Sequence, residues 1–196
     1  MNRPYSESCE QNKAPIYEVI EPYLKGDVLE IGSGTGQHAV HFAGLKPDII
    51  WHCSDLAENI PGIAAWIQFA ALTNLPKPFA LDVMSDWPSR SFDLIYTANS
   101  FHIMGEAEVK ESIRGVASCL SKNGIFIVYG PFNYNGQFSS DSNRQFEQWL
   151  KARNPKSGIK DAGWLEELGA QSNLELLKDI SMPANNRILI WQTRTL

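Results

Sequence analysis

The sequence predicts an α/β fold with helices on both faces of a mostly parallel sheet. Short apolar segments typical of buried strands alternate with longer amphipathic segments up to residue 129. Two further strand-like segments with a short link follow near the carboxyl end, which is typical of an antiparallel hairpin. Five parallel strands and a two-stranded hairpin give a seven-stranded sheet.

The individual elements follow from hydrophobic periodicity and from the glycine, proline and polar residues between them. We expect the parallel strands at Val28–Ile31, Ile49–Cys53, Pro78–Leu81, Phe92–Tyr96 and Ile125–Tyr129, the last entered through a turn at residues 121–124. We expect the hairpin strands at Leu174–Ser181 and Arg187–Thr193. The helices are expected at Ala14–Leu24 (with Pro15 near its first turn), Gln37–Ala43, Ile60–Leu72, Glu106–Leu120, Asn143–Ala152 and Asp161–Gln171.

The composition is typical of one globular domain. The 196 residues are 43% hydrophobic, enough to bury a good core, and no Pro/Gly/Ser-rich linker or internal repeat divides them. We therefore expect one domain over residues 1–196, with an amino-terminal cap or lid at 1–25 and a substrate-side insertion at 130–160. The net charge of −5 without a basic run argues against an extensive nucleic-acid surface.

The amino terminus lacks the apolar core of a signal peptide, and no apolar run is long enough to cross a bilayer. Cys9, Cys53 and Cys119 are widely spaced and form no Cys-x-x-Cys pattern. They are typical of reduced thiols. We expect a cytoplasmic protein, a monomer or homodimer, with no metal and no membrane contact.

A glycine-rich turn follows the first predicted strand. Gly32, Gly34 and Gly36 alternate with Ser33 and a threonine. Glycine permits a tight turn and lets the backbone approach a ligand closely. A helix that begins near Gly36 would direct its first amides at that ligand. The pattern predicts a nucleotide-type cofactor site, although a glycine turn without a ligand has the same local sequence.

The acid before the glycines and their spacing distinguish between cofactors. The dinucleotide fingerprint requires its third glycine at position 37, which is Gln37. Glu30 ends the buried strand, and a buried carboxylate is costly unless it is paired. The cationic S-adenosylmethionine would pair it, whereas a pyrophosphate would be repelled. No Gly-Lys-Ser/Thr of a P-loop follows. Glu30 to Gly36 resembles the Glu-x-Gly-x-Gly-x-Gly motif of class I methyltransferases.

Two more acids follow the next predicted strands. Asp55 lies 23 residues after Gly32, near the spacing at which an acid binds ribose hydroxyls. Asp82 follows the third strand, where methyltransferases have an acid that accepts the adenine amino group. Leu56 and Val83, beside these acids, are expected to contact the cofactor. The alternative for each acid is an ordinary turn carboxylate.

The residues after the fourth and fifth strands are the candidates for catalysis. Methyltransferases place residues that face the methyl group after the fourth strand, which here are Asn99 to His102. Asn99 is also expected to bind the cofactor. His102 would serve as a base, since neutral imidazole suits that role near pH 7; the alternative is a helix-entry residue. Tyr129, at the end of the fifth strand, is the third catalytic candidate. Both prolines of the Asn-Pro-Pro-Tyr/Phe motif are missing, which disfavours amide or base N-methylation.

The chain resembles, nearly end to end, the methyltransferase-like domain-of-unknown-function family 938, a branch of the S-adenosylmethionine-dependent class I methyltransferases. The resemblance includes residues 8–15, and its narrower markers are residues 129–132 and 183–186. The resemblance implies a Rossmann-like class I fold, S-adenosylmethionine as cofactor with S-adenosylhomocysteine as product, and no agreed acceptor. Ser100 and Phe101 differ from the residues that members usually carry. Residues 10–13 would fold over the cofactor as a lid, with Asn12 as a contact; an ordinary exposed helix start is the alternative.

A short, acidic chain without a recognition domain favours a small-molecule acceptor. Phe132, Tyr134 and Phe138 would form an aromatic wall around it, and Asn133 would hydrogen-bond to it; a core-facing turn is the alternative. Other hypotheses are a protein or RNA methyltransferase and a noncatalytic S-adenosylmethionine-binding module. Gln37 and Glu30 disfavour a nicotinamide oxidoreductase.

Overall fold

The computed structural model describes residues 3–194, and Met1, Asn2, Thr195 and Leu196 of the predicted 1–196 domain lie outside that range. Its strands are Asp27–Ile31 (β1), Ile50–Asp55 (β2), Phe79–Ala80 (β3), Phe92–Ala98 (β4), Leu120–Gly130 (β5), Phe132–Asn133 (β6), Lys160–Asp161 (β7), Leu174–Met182 (β8) and Asn186–Thr193 (β9). Its α-helices are Glu7–Ile20 (α1), Gln37–Leu45 (α2), Ile60–Ala70 (α3), Glu106–Cys119 (α4), Asp141–Arg153 (α5) and Ala162–Gln171 (α6).

The predicted seven-stranded sheet is confirmed. Its strand order is β3-β2-β1-β4-β5-β9-β8. β1 to β5 pair in parallel, β9 pairs antiparallel with β5, and β8 closes the hairpin beside β9. β1 pairs with β2 on one side and with β4 on the other. The strands before and after this point are therefore added on opposite sides of β1. Ligands of open α/β sheets bind at the carboxyl ends of the strands beside such a switch point.

Alternate residues of the strands face two separate hydrophobic cores. In β5, Phe126 and Val128 belong to one core, and Ile127 and Tyr129 belong to the other. The first core also contains side chains of α4 and α6, and the second contains side chains of α1, α2 and α3. The near-continuous burial of β4 and β5 is therefore what a parallel sheet covered on both faces requires.

The predicted start of the first helix is wrong by seven residues. The helix begins at Glu7 instead of Ala14, and Pro15 lies inside it. Ser6 caps it by accepting a hydrogen bond from the amide of Cys9 at 3.4 Å. A side-chain oxygen at the N-cap satisfies one of the unpaired first-turn amides. The cap therefore places the start before the apolar periodicity begins, and the helix reaches the region of the glycine turn.

Two features at the two ends of β5 were not predicted. β6 and β7 form a separate two-stranded parallel sheet, with Phe132 paired to Lys160. Within β5, residues 121–124 bulge opposite Asp93, because Leu120 pairs with Phe92 and Ile125 pairs with Leu94. The predicted turn is therefore a bulge inside the strand. β6 and β7 bring residues from opposite ends of the 130–160 region together.

No helix among residues 3–194 is both long enough and apolar enough to cross a membrane.

Gly115→Ala in α4 is expected to destabilise the protein by about 1–3 kcal/mol through overpacking. An added Cβ would lie 1.8 Å from Trp87 Cε2, so the indole would have to move. Gly44→Ala in α2 is the matched control, because its Cβ would lie 3.6 Å from Leu72 Cδ1, an ordinary contact. The control should gain up to about 1 kcal/mol of helix propensity. Urea denaturation measures the free energy of unfolding of both variants. Equal effects of the two substitutions would contradict overpacking at Gly115.

Candidate functional site

The carboxyl ends of β1, β2 and β4 open into a cavity of about 1120 Å³. Ordinary ligand pockets have volumes of roughly 300–1,000 Å³. The cavity is therefore large enough for a cofactor together with a second small molecule. Its walls come from the glycine turn, α1, the loops after β2, β3 and β4, α5, and the tip of the β8–β9 hairpin.

The glycines of the turn have different roles. Gly32 and Gly34 line the cavity. Gly34 has φ of +57°, and an added Cβ would meet no atom within 4 Å because it would point into open space. Gly36 has φ of +87° and begins α2, where a Cβ would lie 3.4 Å from Ile63 Cα. Gly34 therefore keeps the cavity floor free of side chains, whereas Gly36 permits close packing of α2 on α3.

Asp55 is the central polar residue of the turn. It ends β2 and is nearly buried. Its Oδ2 accepts a hydrogen bond from the Gly34 amide at 2.6 Å, and its Oδ1 accepts from the Leu56 amide at 2.7 Å and from Asn59 Nδ2 at 2.8 Å. The carboxylate therefore organises the turn and also lines the cavity.

Glu30 lies beneath the turn and is 2% exposed. Its Oε2 accepts a hydrogen bond from Trp51 Nε1 at 3.0 Å, so the indole supplies a partner that was not predicted. Burial raises the pKa of the Glu30 carboxyl to about 7, against the opposing effect of the Trp51 hydrogen bond. Near neutral pH this group is thus poised between its neutral and charged forms, and a cation in the cavity would favour the charged one.

Other predicted cofactor residues also line the cavity. Ser33 is buried and ties the turn to β2, because its Oγ accepts a hydrogen bond from the Ser54 amide at 3.2 Å. Leu56 is 44% exposed and Val83 is buried. Asp82 is exposed, and its Oδ1 accepts from the Met84 amide at 2.9 Å. Asp82 makes a turn contact and faces the cavity at the same time.

α1 contributes a polar network over the turn. Asn12 Oδ1 is 2.7 Å from His38 Nε2, and His38 Nδ1 is 3.3 Å from the Tyr96 hydroxyl. Burial lowers the pKa of His38 to about 4, so the imidazole is neutral. Asn12 also opposes the rise that burial causes in the pKa of the Tyr129 hydroxyl. Asn12 and His38 line the cavity, but Tyr129 is not among the described lining residues and packs in the core beneath α1.

Gln37 holds the amino-terminal segment on the glycine turn. Its Oε1 accepts hydrogen bonds from the Ser6 amide at 2.6 Å and from the Thr35 hydroxyl at 3.0 Å, and its Nε2 donates to Glu10 Oε2 at 3.1 Å. This is the position at which the dinucleotide fingerprint has a glycine. The side chain that replaces the glycine therefore ties the predicted lid to the cofactor turn.

Gln37→Ala is expected to accelerate amide exchange in residues 3–10 by about fivefold, because the Ser6 amide loses its acceptor and such a bond contributes about 1 kcal/mol. Hydrogen–deuterium exchange with mass spectrometry measures this. Gln11→Ala is the matched control, since Gln11 Nε2 contacts only Glu7 within the same helix, at 3.2 Å. Equal exchange in both variants would show that Gln37 does not hold the segment.

Asn99 and His102 reach the cavity from the loop after β4. Asn99 has φ of +57°, and its amide donates to the Tyr129 carbonyl at 2.9 Å. His102 is 8% exposed, and its ring packs edge-on against Phe146 with centroids 5.1 Å apart. Burial, with a smaller contribution from the charge of Lys160, lowers the pKa of His102 to about 4. Its imidazole is therefore a neutral hydrogen-bond acceptor at physiological pH.

A segment after α5 holds the backbone around His102. Three consecutive carbonyls, those of residues 102, 103 and 104, each accept one hydrogen bond from it. The donors are the Gly158 amide at 2.9 Å, the Ser157 hydroxyl at 2.6 Å and the Lys160 ammonium at 2.7 Å. Burial lowers the pKa of Lys160 to about 8. The carboxyl end of the 130–160 region thus fixes the loop that carries His102.

The predicted aromatic wall lies elsewhere. Phe132 is buried in the core of α4 and α6, Tyr134 packs against that core with its hydroxyl on Asp179, and Phe138 lies against Arg144. Among the described residues, neither these aromatics nor Asn133 line the cavity. The pairing of β6 with β7 turns this segment toward the core.

The aromatic residues that do line the cavity are Phe146 and Trp149 of α5. Their rings stack with centroids 5.6 Å apart. The spacing of three residues in an otherwise polar helix was a signal for one aromatic face, but it could not show what that face meets.

No group of three or more His, Cys, Asp or Glu residues within 3–194 is arranged to hold a metal ion.

Comparisons with solved structures identify the class of fold. An O-methyltransferase family protein from Burkholderia thailandensis superposes with a TM-score of 0.85 at 13% identity, covering 96% of this chain and 58% of that one. An O-methyltransferase family 2 protein from Planctomyces limnophilus, in complex with apigenin, gives 0.83 at 13% identity, covering 95% and 60%. PigF with SAH gives 0.79 at 14% identity, covering 93% and 56%. The chain thus spans somewhat more than half the length of these proteins.

The fold is therefore the Rossmann-like fold of the class I methyltransferases. The sequence profile of the family described as "Protein of unknown function (DUF938)" matches residues 3–193. The chain belongs to this family, as the resemblance with its markers at residues 129–132 and 183–186 predicted.

Proposed function

We propose that the chain is an S-adenosylmethionine-dependent methyltransferase that acts on a small molecule. The observation that carries this proposal is the charge of the cavity. Glu30, Asp55, Asp82 and Glu108 line it, and no lysine or arginine is among the described lining residues. Such a cavity at the switch point fits a cationic nucleoside and disfavours a pyrophosphate.

The residues fit this cofactor in three respects. The open space above Gly34 leaves room for a ligand against the backbone. Asp55 would accept hydrogen bonds from the ribose hydroxyls, and Asp82 would accept from the adenine amino group, with Leu56 and Val83 against the ring. Glu30 would pair with the positively charged part of the molecule. Gly32, Ser33, Asn12 and Asn99 complete the proposed contacts.

When bound, S-adenosylmethionine supplies an activated methyl group, which the acceptor atom takes as the carbon–sulfur bond breaks and its electron pair stays on sulfur. Alignment of the two reactants then provides most of the catalysis. His102 would accept a hydrogen bond from the acceptor, take up its proton and release it to solvent. The three hydrogen bonds to the carbonyls of residues 102–104 would keep the imidazole in place. Tyr129 would act only indirectly, through its carbonyl and Asn12.

The absence of lysine and arginine among the described lining residues also disfavours the RNA methyltransferase alternative. Isothermal titration calorimetry tests the cofactor: S-adenosylmethionine should bind and NADH should not. A metabolite screen with a labelled methyl donor then tests the activity. Binding of the nicotinamide cofactor instead would refute the proposal, and cofactor binding without labelled product would favour the noncatalytic alternative.

His102→Gln should lower turnover by about 10²–10⁴-fold, the usual contribution of a positioned base, and change cofactor affinity little. Because the pKa of His102 is about 4, the wild-type rate should show no acidic limb from this residue in the neutral pH range and should fall only as pH approaches that value. Steady-state kinetics on the acceptor found in the screen measures both. Similar losses of turnover and of affinity would contradict the role.

A further inference from the structure

We infer that the methyl acceptor is an uncharged, planar aromatic molecule with a hydroxyl group, and that it lies against Phe146 and Trp149 of α5. This inference rests on the proposed function, since it describes the second occupant of the same cavity. Three features of the cavity lining carry it: apolar exposure, aromatic geometry and charge.

Two large apolar side chains that line the cavity are exposed. Ile103 is 60% exposed and Trp149 is 49% exposed. Leu56 is similarly exposed there but has a proposed role beside the cofactor. Exposed apolar surface that clusters in one place marks a ligand or partner site. Ile103 and Trp149 lie on the His102 side of the cavity, where the acceptor would have to bind.

The aromatic rings on this side form one continuous group. The ring of His102 meets Phe146 edge-on at 5.1 Å and 71°, and Phe146 stacks on Trp149 at 5.6 Å and 21°. Aromatic pairs prefer offset-stacked or edge-to-face contacts with centroids about 4.5–7 Å apart. A planar ring bound against Phe146 would therefore also lie beside His102, and its hydroxyl would be close to the neutral imidazole of that residue.

The polar groups on this side select against negative charge. Asn143, Asn154 and Asn186 supply neutral amides, and the carboxylate of Glu108 is engaged with the Gly105 amide at 2.5 Å. The guanidinium of Arg153 lies over the Trp149 ring, 3.9 Å from its centroid, and is not among the described lining residues. A phosphate or carboxylate on the acceptor would meet the carboxylate of Glu108, and no lysine or arginine is among the described lining residues to pair with it.

Calorimetry at saturating S-adenosylhomocysteine, with three probes of similar size, tests this inference. Naphthol is planar and neutral, naphthyl phosphate is planar and anionic, and decahydronaphthol is neutral but not planar. We expect naphthol to bind at least about tenfold more tightly than either of the others, a ratio that calorimetry resolves readily. Tighter binding of the phosphate or of the saturated alcohol, or no binding of naphthol, would overturn the inference.

Two variants locate the contact. Phe146→Leu and Trp149→Leu keep an apolar side chain, and each should weaken naphthol binding by about three- to tenfold, the range measured for aromatic pairs. Phe69→Leu is the matched control, since Phe69 is 64% exposed on α3 outside the cavity lining. Affinity for S-adenosylhomocysteine should not change in any of them. A loss of that affinity in the α5 variants would assign those residues to the cofactor side and overturn the inference.

Calorimetry distinguishes a wrong function from a wrong acceptor class. If wild-type protein does not bind S-adenosylhomocysteine, the proposed function itself is wrong. If it binds the nucleoside but none of the aromatic probes, the methyltransferase proposal stands and only the acceptor class is wrong.

Discussion

Asp55→Ala should weaken the binding of S-adenosylmethionine at least about 100-fold. The substitution removes the proposed acceptor of the ribose hydroxyls, and it also removes the acceptor of the Gly34 and Leu56 amides, which lie 2.6 and 2.7 Å from the carboxylate and shape the turn. A hydrogen bond to a charged group contributes about 1.5–3 kcal/mol, and about 1.4 kcal/mol corresponds to a factor of ten, so the loss of two such bonds to ribose gives at least about 100-fold. Calorimetry should show the same loss for S-adenosylhomocysteine and for methylthioadenosine, because all three ligands share the nucleoside.

Asn59→Ala is the matched control for this prediction. It removes only the side-chain donor that Asp55 Oδ1 accepts at 2.8 Å and leaves the carboxylate in place. We expect the control to lose much less affinity than Asp55→Ala. A folded Asp55→Ala protein with wild-type affinity would show that this acid only shapes the turn, the alternative that its sequence position left open.

The second large expected effect is the pH dependence of S-adenosylmethionine binding. Without cofactor, the pKa of Glu30 is about 7 because the carboxyl is buried. A positively charged ligand favours the carboxylate, so binding releases a proton below that pH. Affinity for S-adenosylmethionine should therefore rise by up to about tenfold per pH unit as pH increases toward 7, and level off above it. Calorimetry in buffers of different ionisation enthalpy measures the released proton directly.

Glu30→Gln and methylthioadenosine isolate the contribution of Glu30. The Gln variant keeps an acceptor for Trp51 Nε1 and has no proton to lose, so its affinity should be flat with pH and close to the wild type at low pH. Methylthioadenosine lacks the charged amino-acid part, and its affinity should be flat even with wild-type protein. A pH-dependent affinity in the Gln variant would assign the effect to another group.

The raised pKa of Glu30 also affects the free energy of unfolding. Stability should fall as pH rises, whereas affinity for the cofactor should increase. The folded-state pKa of Glu30 is about 7, above the ordinary value of 4.5, so its contribution is most favourable below the ordinary pKa and is lost as pH rises to about 7. The loss is on the order of 3 kcal/mol for the unliganded protein. Urea denaturation should find Glu30→Gln more stable than wild type above neutral pH and similar to it near pH 4. A Glu30→Gln variant that is less stable than wild type at both pH values would show that the charge of the Glu30 carboxylate is compensated in the folded protein.

The sequence could predict which residues form the proposed cofactor side of the cavity, because they follow consecutive strands. Parallel strands bring their carboxyl ends to one edge of a sheet, so Glu30, Asp55 and Asp82 lie in the same cavity as Gly32 and Gly34. Local sequence was sufficient for each of them. It could not show that Trp51 pairs with Glu30, since that contact depends on the register of β1 and β2.

The acceptor side required the tertiary structure. Nothing near His102 in sequence shows that Phe146 packs on it, or that Ser157, Gly158 and Lys160 bind the carbonyls beside it. Phe132, Tyr134 and Phe138, the aromatic residues that follow β5 directly in sequence, are not among the described residues that line the cavity.

The sequence alone determined the sheet, the glycine turn and the acids of the proposed cofactor site, because strand periodicity and turn chemistry are local properties of the chain. Only the tertiary structure decided which residues face the acceptor, because α5 and the β8–β9 tip reach the cavity through packing between segments far apart in sequence. Gln37 lies between these two cases. Its identity ruled out the dinucleotide pattern, and its contacts showed that the same side chain holds the amino-terminal helix over the turn.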